Sequence, residues 1–281
     1  MPNDYVAANM RNWDERVADH LVAYGAEAFA DDPAALTARV EAELLAPFVP
    51  GGSFEGVTML HQQCHIGLDT ISFARRGADI VGTDLSGAAI AAARALAARA
   101  GTPNATFLQS ANEDVPDAVG RRFDVVFTSV GVLVWLSDLD AWAQSIARLL
   151  APGGVFLVYD GHPMMAAMED GRDDGLLVVG EPYFATGEPR RFDDGATYAS
   201  ENRMENGVTY QWPHDLSEIL TAVRGAGLSI EAFGEHRSIP WKALPGLVPG
   251  DDGWVPPEGS PDLPLMFSLI ARGPGRGETR G

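Results

Sequence analysis

Residues 59–94 read MLHQQCHIGLDTISFARRGADIVGTDLSGAAIAAAR, and this stretch decides the fold class. A short apolar run leads into a polar turn and a helix-forming segment, and the same order of segments then repeats. Short β-branched runs that alternate with longer segments rich in Ala, Leu and Arg predict strands and helices in turn. That alternation is typical of an α/β fold with a parallel sheet.

The alternation continues on both sides of this stretch and defines the predicted elements of the core. Strands are expected over residues 57–61, 78–83, 105–109, 123–128 and 155–159, and helices over 68–76, 87–100 and 139–150. A helix over 214–225 and strands over 228–233 and 264–271 are expected to complete the sheet.

The segments outside this core predict further parts of the chain. Residues 13–24 and 33–45 are expected to form two helices of a cap, separated by an acidic turn at Asp31 and Asp32. The predicted organisation is a helical cap over 1–50, a core over 51–160, an inserted lid of short antiparallel strands over 161–213, the completion of the core over 214–271 and a disordered tail over 272–281.

Charge and cysteine content exclude several function classes. The 281 residues carry 39 acidic and 20 basic side chains, a formal charge of −19, so nucleic acid and anionic membranes are not expected as partners. A single cysteine, Cys64, excludes an internal disulfide and predicts a reducing cytoplasm. The N-terminal segment has no continuous apolar run and predicts neither a signal peptide nor an anchor. A small-molecule partner and a monomer or homodimer are expected.

The turn after the first strand and the end of the second strand predict a ligand site. A loop that leads into a helix can present backbone N–H groups to a ligand. Asp84 stands 17 residues after Gly67, at the end of the second predicted strand, where a carboxylate can accept both hydroxyls of a ribose. These two features alone leave a nicotinamide and S-adenosylmethionine open as the cofactor.

Three stretches together resemble the class I, seven-stranded, Rossmann-like S-adenosylmethionine-dependent methyltransferases. They are the quoted stretch, FDVVFTSVGVLVWL at 123–136 and IARLLAPGGVFLVYDGHP at 146–163. The Leu-Leu-Ala-Pro-Gly-Gly turn is the most specific of these signals. The resemblance implies a mostly parallel sheet with helices on both faces, S-adenosylmethionine as cofactor and S-adenosylhomocysteine as product.

The first loop departs from the family pattern of an acidic residue followed by three spaced glycines. His61 stands at the acidic position, Gln63 and His65 replace two glycines, and Gly67 remains. A side chain at position 65 narrows the approach to the cofactor. The variant QCHIGLDT also resembles a subgroup of bacterial small-molecule methyltransferases, which implies that the altered loop still binds.

Carried over position by position, the resemblance implies the cofactor residues. They are Gln63, Cys64, His65 and Gly67 at the methionine portion, Asp84 at the ribose, Leu85, Asn112 and Glu113 around the adenine, and Ser129 and Val130 beside the sulfonium.

His61, Cys64 and His65 also have the side chains of a zinc site. Three donors within a strand end and a tight turn rarely converge on one ion, so no metal is expected. Cys64 is expected to be a small buried residue instead.

Methyl transfer to an acceptor that loses a proton needs a general base. The acceptor must also be held in line with the methyl group by a binding surface. The candidate bases are Tyr24, His162, Glu181 and His214. Aromatic residues of the predicted cap, lid and C-terminal part suit a flat apolar acceptor. The predicted acceptor residues are Trp13, Tyr183, Tyr210, Trp212 and Trp241.

The resemblance extends to enzymes of bacterial specialised metabolism that methylate the carbon of indole in tryptophan-derived compounds and cyclic dipeptides. Carbon methylation of an indole is therefore the first hypothesis, and O- or N-methylation of another small molecule is the alternative. A nicotinamide-dependent oxidoreductase and a non-catalytic S-adenosylmethionine-binding protein are two rival classes. His65 in the loop argues against the oxidoreductase, which needs close approach of a pyrophosphate.

Overall fold

The computed structural model describes residues 4–169, 172, 174, 176–193, 195 and 202–275. Its strands in chain order are β1 (Thr58–Gln62), β2 (Asp79–Asp84), β3 (Ala105–Gln109), β4 (Phe123–Thr128), β5 (Leu150–Gly161), β6 (Arg190–Asp193), β7 (Val208–Gln211), β8 (Ser229–His236), β9 (Val248–Gly250), β10 (Gly253–Val255) and β11 (Met266–Arg272). Its helices are α1 (Asp4–Ala23), α2 (Ala26–Asp31), α3 (Arg39–Leu45), α4 (Leu68–Arg75), α5 (Gly87–Ala100), α6 (Val115–Val119), α7 (Leu139–Leu149), α8 (Pro163–Ala166) and α9 (Leu216–Gly225).

Seven strands form the central sheet in the order β3-β2-β1-β4-β5-β11-β8. The first five pair in parallel, and β11 runs antiparallel to both β5 and β8. This is the predicted seven-stranded, mostly parallel sheet. The order reverses between β1 and β4, and open α/β sheets bind ligands at the carboxyl edge of such a point.

The two faces of the sheet bury separate apolar clusters because successive side chains of a strand point to opposite faces. Met59 of β1 packs on one face with Phe73 of α4, whereas Leu60 packs on the other face with Trp142 of α7. Both α5 and α7 begin at a side-chain cap, since Ser86 accepts the Ala89 N–H and Asp138 accepts the Ala141 N–H.

The predicted helix over 33–45 is wrong in its first half. Helix α2 ends at Asp31, residues 33–38 are not helical, and α3 begins at Arg39. The Asp32 side chain accepts the Ala34 N–H at 2.9 Å, and the Thr37 N–H donates to Ser72 Oγ of α4 at 2.8 Å. These contacts take up backbone groups that a helix would use.

Several other boundaries differ from the prediction. Helix α1 begins nine residues before the expected Trp13, and β5 begins at Leu150 rather than at residue 155. The predicted lid pattern at 197–212 contains β7, which pairs antiparallel with β6. Within the described part of 175–184, the pattern yields one isolated bridge, between Met168 and Val179.

Residue 272 belongs to the sheet and not to a tail. Arg272 is the last residue of β11 and forms an ion pair with Glu231 at 2.8 Å. The rest of the predicted tail from residue 276 onward lies outside the described residues. Among the helices described here, none has both the length and the apolar character needed to cross a membrane.

Candidate functional site

The loop between β1 and α4 turns tightly at the carboxyl edge of the sheet. Gln63, His65 and Gly67 all have positive φ angles of 55°, 48° and 78°. The Cys64 N–H donates to Thr83 O of the neighbouring strand at 2.9 Å, which ties the loop to β2. A Cβ at position 67 would lie 2.6 Å from the Phe107 ring, so this position requires glycine.

Asp84 holds this loop in place at the end of β2. Its two carboxylate oxygens accept the backbone N–H of His65 at 2.9 Å and of Ser86 at 2.8 Å. Burial raises the pKa of this carboxyl above its usual value. Each oxygen keeps a further lone pair, so Asp84 can still accept the two hydroxyls of a ribose.

Two buried donors at the ends of β1 and β4 lack hydrogen-bond partners within the described part of the chain. They are Gln63 Nε2 and Ser129 Oγ. The other end of the Gln63 amide accepts Thr128 Oγ1 at 2.9 Å, which fixes the amide beside β4. Buried donors are normally paired, so these two fit a ligand that brings acceptor atoms to the loop. The polar end of a methionine portion has such atoms.

The remaining predicted cofactor residues take different positions. The Cys64 side chain is buried against Gly82, and burial raises the pKa of its thiol, so Cys64 contributes backbone groups to the loop. The Leu85 carbonyl accepts Gln109 Nε2 at 3.0 Å, and the Asn112 carbonyl accepts Ser145 Oγ at 2.7 Å. Glu113 is exposed. Contacts of Leu85, Asn112 and Glu113 with an adenine stay a prediction.

The two histidines of the loop region have different surroundings. His61 lies in the core, 3.0 Å from Thr70 Oγ1 and stacked on Phe127 at 4.1 Å, and burial lowers its pKa to about 4. The His65 ring instead faces α1. No group of three His, Cys, Asp or Glu side chains that could hold a metal ion occurs among the residues described.

Helix α1 covers the loop through a contact between two imidazoles. His20 Nδ1 lies 2.8 Å from His65 Nε2, and His20 is fully buried. Burial lowers the pKa of His20 to about 4 and that of His65 to about 3, so both rings are neutral at pH 7. The Trp13 ring packs on His65 at 5.3 Å. No local pattern marks His20 as a site residue, because its burial depends on this long-range contact.

The same helix is tied to α5 and to the inserted ribbon of β6 and β7. Asp14 accepts Ser86 Oγ at 2.5 Å, directly beside the Asp84 site. Asn9 exchanges two hydrogen bonds with the Tyr210 backbone, at 2.7 and 2.8 Å. Glu15 accepts the backbone N–H groups of residues 205 and 206. Helix α1 therefore joins the cofactor loop to the ribbon.

A cavity of about 460 Å³ opens beyond Val130 and Gly131, at the ends of β4 and β5. Four of the five predicted acceptor residues line it, namely Trp13, Tyr183, Trp212 and Trp241. Tyr210 is not among the lining residues, because its ring packs on Tyr5 at 4.5 Å. The lining also includes Trp135, Phe192, Arg16 and Lys242, which sequence reasoning missed.

The four candidate bases differ in their access to this cavity. Glu181 and His214 line it, whereas His162 and Tyr24 do not. Both ring nitrogens of His214 are engaged, with Glu218 Oε2 and with Leu136 O, each at 2.8 Å. Glu181 lies 3.3 Å from Arg190, and its carboxylate is about half exposed. Glu181 therefore has the geometry that suits a base best.

His162 and Tyr24 contact neighbouring residues of the fold and do not line the cavity. The buried His162 ring accepts the Met164 N–H at its Nδ1, which caps α8, and its Nε2 lies 3.1 Å from a Glu235 oxygen. Burial lowers the pKa of His162. Tyr24 packs on the His20 ring at 5.1 Å and is 40% exposed.

Asp160 is a further residue of the site, and it was not among the residues predicted from the sequence. This buried carboxylate at the end of β5 accepts the backbone N–H groups of Gly131, Val132, Leu133 and Gly161. It therefore fixes the loop after β4, which forms one wall of the cavity. The signal available was its place at the carboxyl end of a parallel strand.

The chain is similar to known methyltransferases in sequence and in fold. Residues 60–156 match a family model described as a methyltransferase domain. The ubiquinone biosynthesis O-methyltransferase of Mesorhizobium japonicum is 31% identical over 137 residues, which are 49% of this chain and 51% of that protein. The chain thus matches about half the length of this relative.

Solved structures share the fold at low sequence identity. A putative S-adenosylmethionine-dependent methyltransferase from Listeria monocytogenes superposes with a TM-score of 0.57 at 19% identity, covering 84% of this chain and 99% of the other. A [4+2]-cyclase superposes with a TM-score of 0.59 at 17% identity, covering 95% of each chain. The comparisons confirm the predicted fold, and they support the predicted enzyme class with S-adenosylmethionine as its cofactor.

Proposed function

We propose that this chain transfers a methyl group from S-adenosylmethionine to a small aromatic acceptor. The observation that carries the proposal is the position of the aromatic-lined cavity. It begins at Val130 and Gly131, directly after Ser129, whose unpaired hydroxyl lies at the predicted cofactor loop. Both ligands would therefore meet at the end of β4, the point where an in-line transfer needs them.

The residues of the chain would divide the work of binding and alignment. When bound, S-adenosylmethionine supplies the methyl group, and its sulfur keeps the electron pair of the broken bond. Asp84 would bind the ribose, and Trp13, Trp212 and Trp241 would hold the acceptor ring and exclude water. Asp160 would keep the loop after β4 in place through its backbone hydrogen bonds.

Glu181 would accept the proton that the acceptor releases as the new bond to the methyl carbon forms. Its carboxylate lines the cavity, and Arg190 at 3.3 Å holds it there. A carboxylate within hydrogen-bond reach of the acceptor can serve as a general base. His214 would serve as part of the wall, since both its nitrogens are already engaged.

The acceptor that we propose first is an indole, as in tryptophan derivatives or cyclic dipeptides of specialised metabolism, methylated at carbon. Four indole side chains line the cavity, those of Trp13, Trp135, Trp212 and Trp241. This aromatic lining supports a flat two-ring acceptor. Methylation of a phenolic oxygen is the second candidate. It is favoured by the O-methyltransferase relatives from Mesorhizobium japonicum and Chelativorans, which are 31% and 30% identical.

Transfer of labelled methyl from S-adenosylmethionine to panels of tryptophan derivatives, cyclic dipeptides and catechols tests the proposal. Methyl incorporation into carbon of an indole supports the first candidate, and incorporation into oxygen supports the second. Thermal stabilisation by S-adenosylhomocysteine, and not by NAD, is expected alongside. Binding without transfer to any acceptor would favour the non-catalytic class, and stabilisation by NAD alone would favour the oxidoreductase.

A further inference from the structure

Glu41 of α3 is a buried carboxyl outside the residues considered so far. This residue is only 4% exposed to solvent. None of the ion pairs found within the described ranges of the chain includes Glu41. A buried carboxylate without a cation costs several kcal/mol, so native proteins rarely keep one without a use.

The groups that face Glu41 place it beside the cofactor loop. The Ser129 hydroxyl at the end of β4 lies near this carboxyl and lowers its pKa, and the charge of Asp69 in the first turn of α4 raises that pKa. The charge of Glu41 also acts on Tyr159 of β5. Arg76 is the cation whose charge reaches Glu41, and it lies beyond ion-pair distance.

Two carboxyl groups, those of Glu41 and Asp69, lie close enough in this corner for their charges to interact. Burial and the charge of Asp69 raise the pKa of Glu41 to about 7. His61, at the position where the family pattern has an acidic residue, is neutral because burial lowers its pKa to about 4. The acidic side chains at this end of the loop are therefore Glu41 and Asp69, and a bound cation would favour the charged form of Glu41.

We propose that Glu41 binds the α-ammonium group of S-adenosylmethionine. This inference rests on the proposed function, since it assigns a residue to the cofactor site. The ammonium would occupy the space next to Ser129 and would give the buried carboxylate its counter-charge. The unpaired Gln63 Nε2 is a donor for the carboxylate at the same end of the cofactor. A residue of the helical cap would thus replace the acidic residue that His61 displaces.

Calorimetric titration of two ligands into the full chain tests this assignment. The ligands are S-adenosylhomocysteine and its analogue in which hydrogen replaces the amino group. The wild type is expected to bind the first on the order of 10- to 100-fold more tightly, as a charge-assisted hydrogen bond provides. In Glu41→Gln this ratio should collapse through weaker binding of S-adenosylhomocysteine. Glu43→Gln, on an exposed position of the same helix, is the matched control and should keep the ratio.

Three results separate the inference from the function on which it rests. If Glu41→Gln weakens both ligands equally or leaves the ratio unchanged, Glu41 does not bind the ammonium. If the wild type binds neither ligand, the proposed function itself fails. Should Glu41→Gln not fold, Glu41→Asp keeps the charge but withdraws it by one methylene. In that variant only S-adenosylhomocysteine is expected to bind more weakly, and a ratio of the two affinities that stays at the wild-type value would overturn the inference.

Discussion

His20 Nδ1 lies 2.8 Å from His65 Nε2, so the first helix of the chain meets the loop after β1 in a direct contact between two imidazoles. Only one proton can lie between these nitrogens, and the contact needs at least one neutral ring. Burial keeps both rings neutral at pH 7. The contact between α1 and the loop is therefore expected to depend on pH.

Acid is expected to destabilise the protein through this pair. The pKa of His20 is lowered from 6.5 to about 4 and that of His65 to about 3, so between pH 6.5 and 4 the unfolded chain binds protons that the folded chain does not. The free energy of unfolding then falls as pH falls, by about 2 kcal/mol per histidine at pH 5. Urea denaturation at pH 7 and pH 5 measures this fall. The double variant His20→Gln, His65→Gln should show a smaller fall, and an unchanged fall would contradict the prediction.

Removing the charge of Asp84 is expected to weaken cofactor binding. Asp84→Asn keeps the shape of the side chain but loses acceptor capacity toward the His65 and Ser86 N–H groups and toward a ribose. We expect S-adenosylhomocysteine to bind about 10- to 100-fold more weakly, measured by calorimetry. Asp79→Asn at the other end of β2, where the carboxylate pairs with Arg121 on the surface, is the control and should bind normally.

The role of Glu181 as a base predicts a loss of rate without a loss of cofactor affinity. Glu181→Gln keeps the side chain in the cavity and removes its basicity, so kcat should fall by about 10²- to 10⁴-fold. S-adenosylhomocysteine affinity should not change. Glu188→Gln, an exposed neighbour in the same segment, serves as the control. Equal activity of the two variants would remove Glu181 from the mechanism.

The ionisation of Glu41 is expected to change the stability of the fold with pH in the direction opposite to that of the two histidines. Its pKa is raised from 4.5 to about 7, so between these values the folded chain holds a proton that the unfolded chain has lost. Stability without ligand then decreases as pH rises from 4.5 to 7, by up to about 3 kcal/mol. The side chains of Asp69, Arg76 and Tyr159 face the same carboxyl.

Glu41→Gln removes the loss of stability that comes from ionising the buried carboxyl, because the amide resembles the protonated acid. The variant should therefore be more stable than the wild type at pH 8 and about equally stable at pH 4.5, as urea denaturation would measure. A variant that is less stable at both pH values would show that the carboxylate has a structural partner.

Gly67 is expected to tolerate alanine poorly. Its φ of 78° is left-handed, and a Cβ there would lie 2.6 Å from Phe107 and 2.9 Å from Ala93. Gly120 has a φ of 61° and open space around the position that a Cβ would take, so an alanine there would suffer only the strain of the left-handed backbone. Gly120→Ala should cost about 1 kcal/mol, and Gly67→Ala about 1–3 kcal/mol more. Thermal unfolding of the two variants measures the difference, and equal values would argue that Phe107 moves aside.

The elements that the sequence predicted correctly are those whose signals are local. Strand β4 and helix α5 match the prediction residue for residue, because an apolar run ends at a turn and because Ser86 caps the helix that follows it. Four of the five aromatic residues that were predicted to contact an acceptor line the cavity, and their contact with an acceptor stays a prediction.

What the sequence did not reveal depends on contacts between distant segments. The helix expected over 33–45 is broken because Thr37 meets Ser72, a residue 35 positions away. His20 and Glu41 are polar residues on helices whose buried faces carry little apolar periodicity, so nothing local marks them as buried. Tyr210 was misplaced for a related reason, because its ring packs on Tyr5 of a helix start that was not predicted.

Helix α1 touches the cofactor loop through His20 and the inserted ribbon through Asn9 and Glu15. A rigid helix cannot leave one of these partners without straining its contacts with the other. If the proposed function holds, we therefore expect release of the nucleoside and entry of the acceptor to be coupled through this helix.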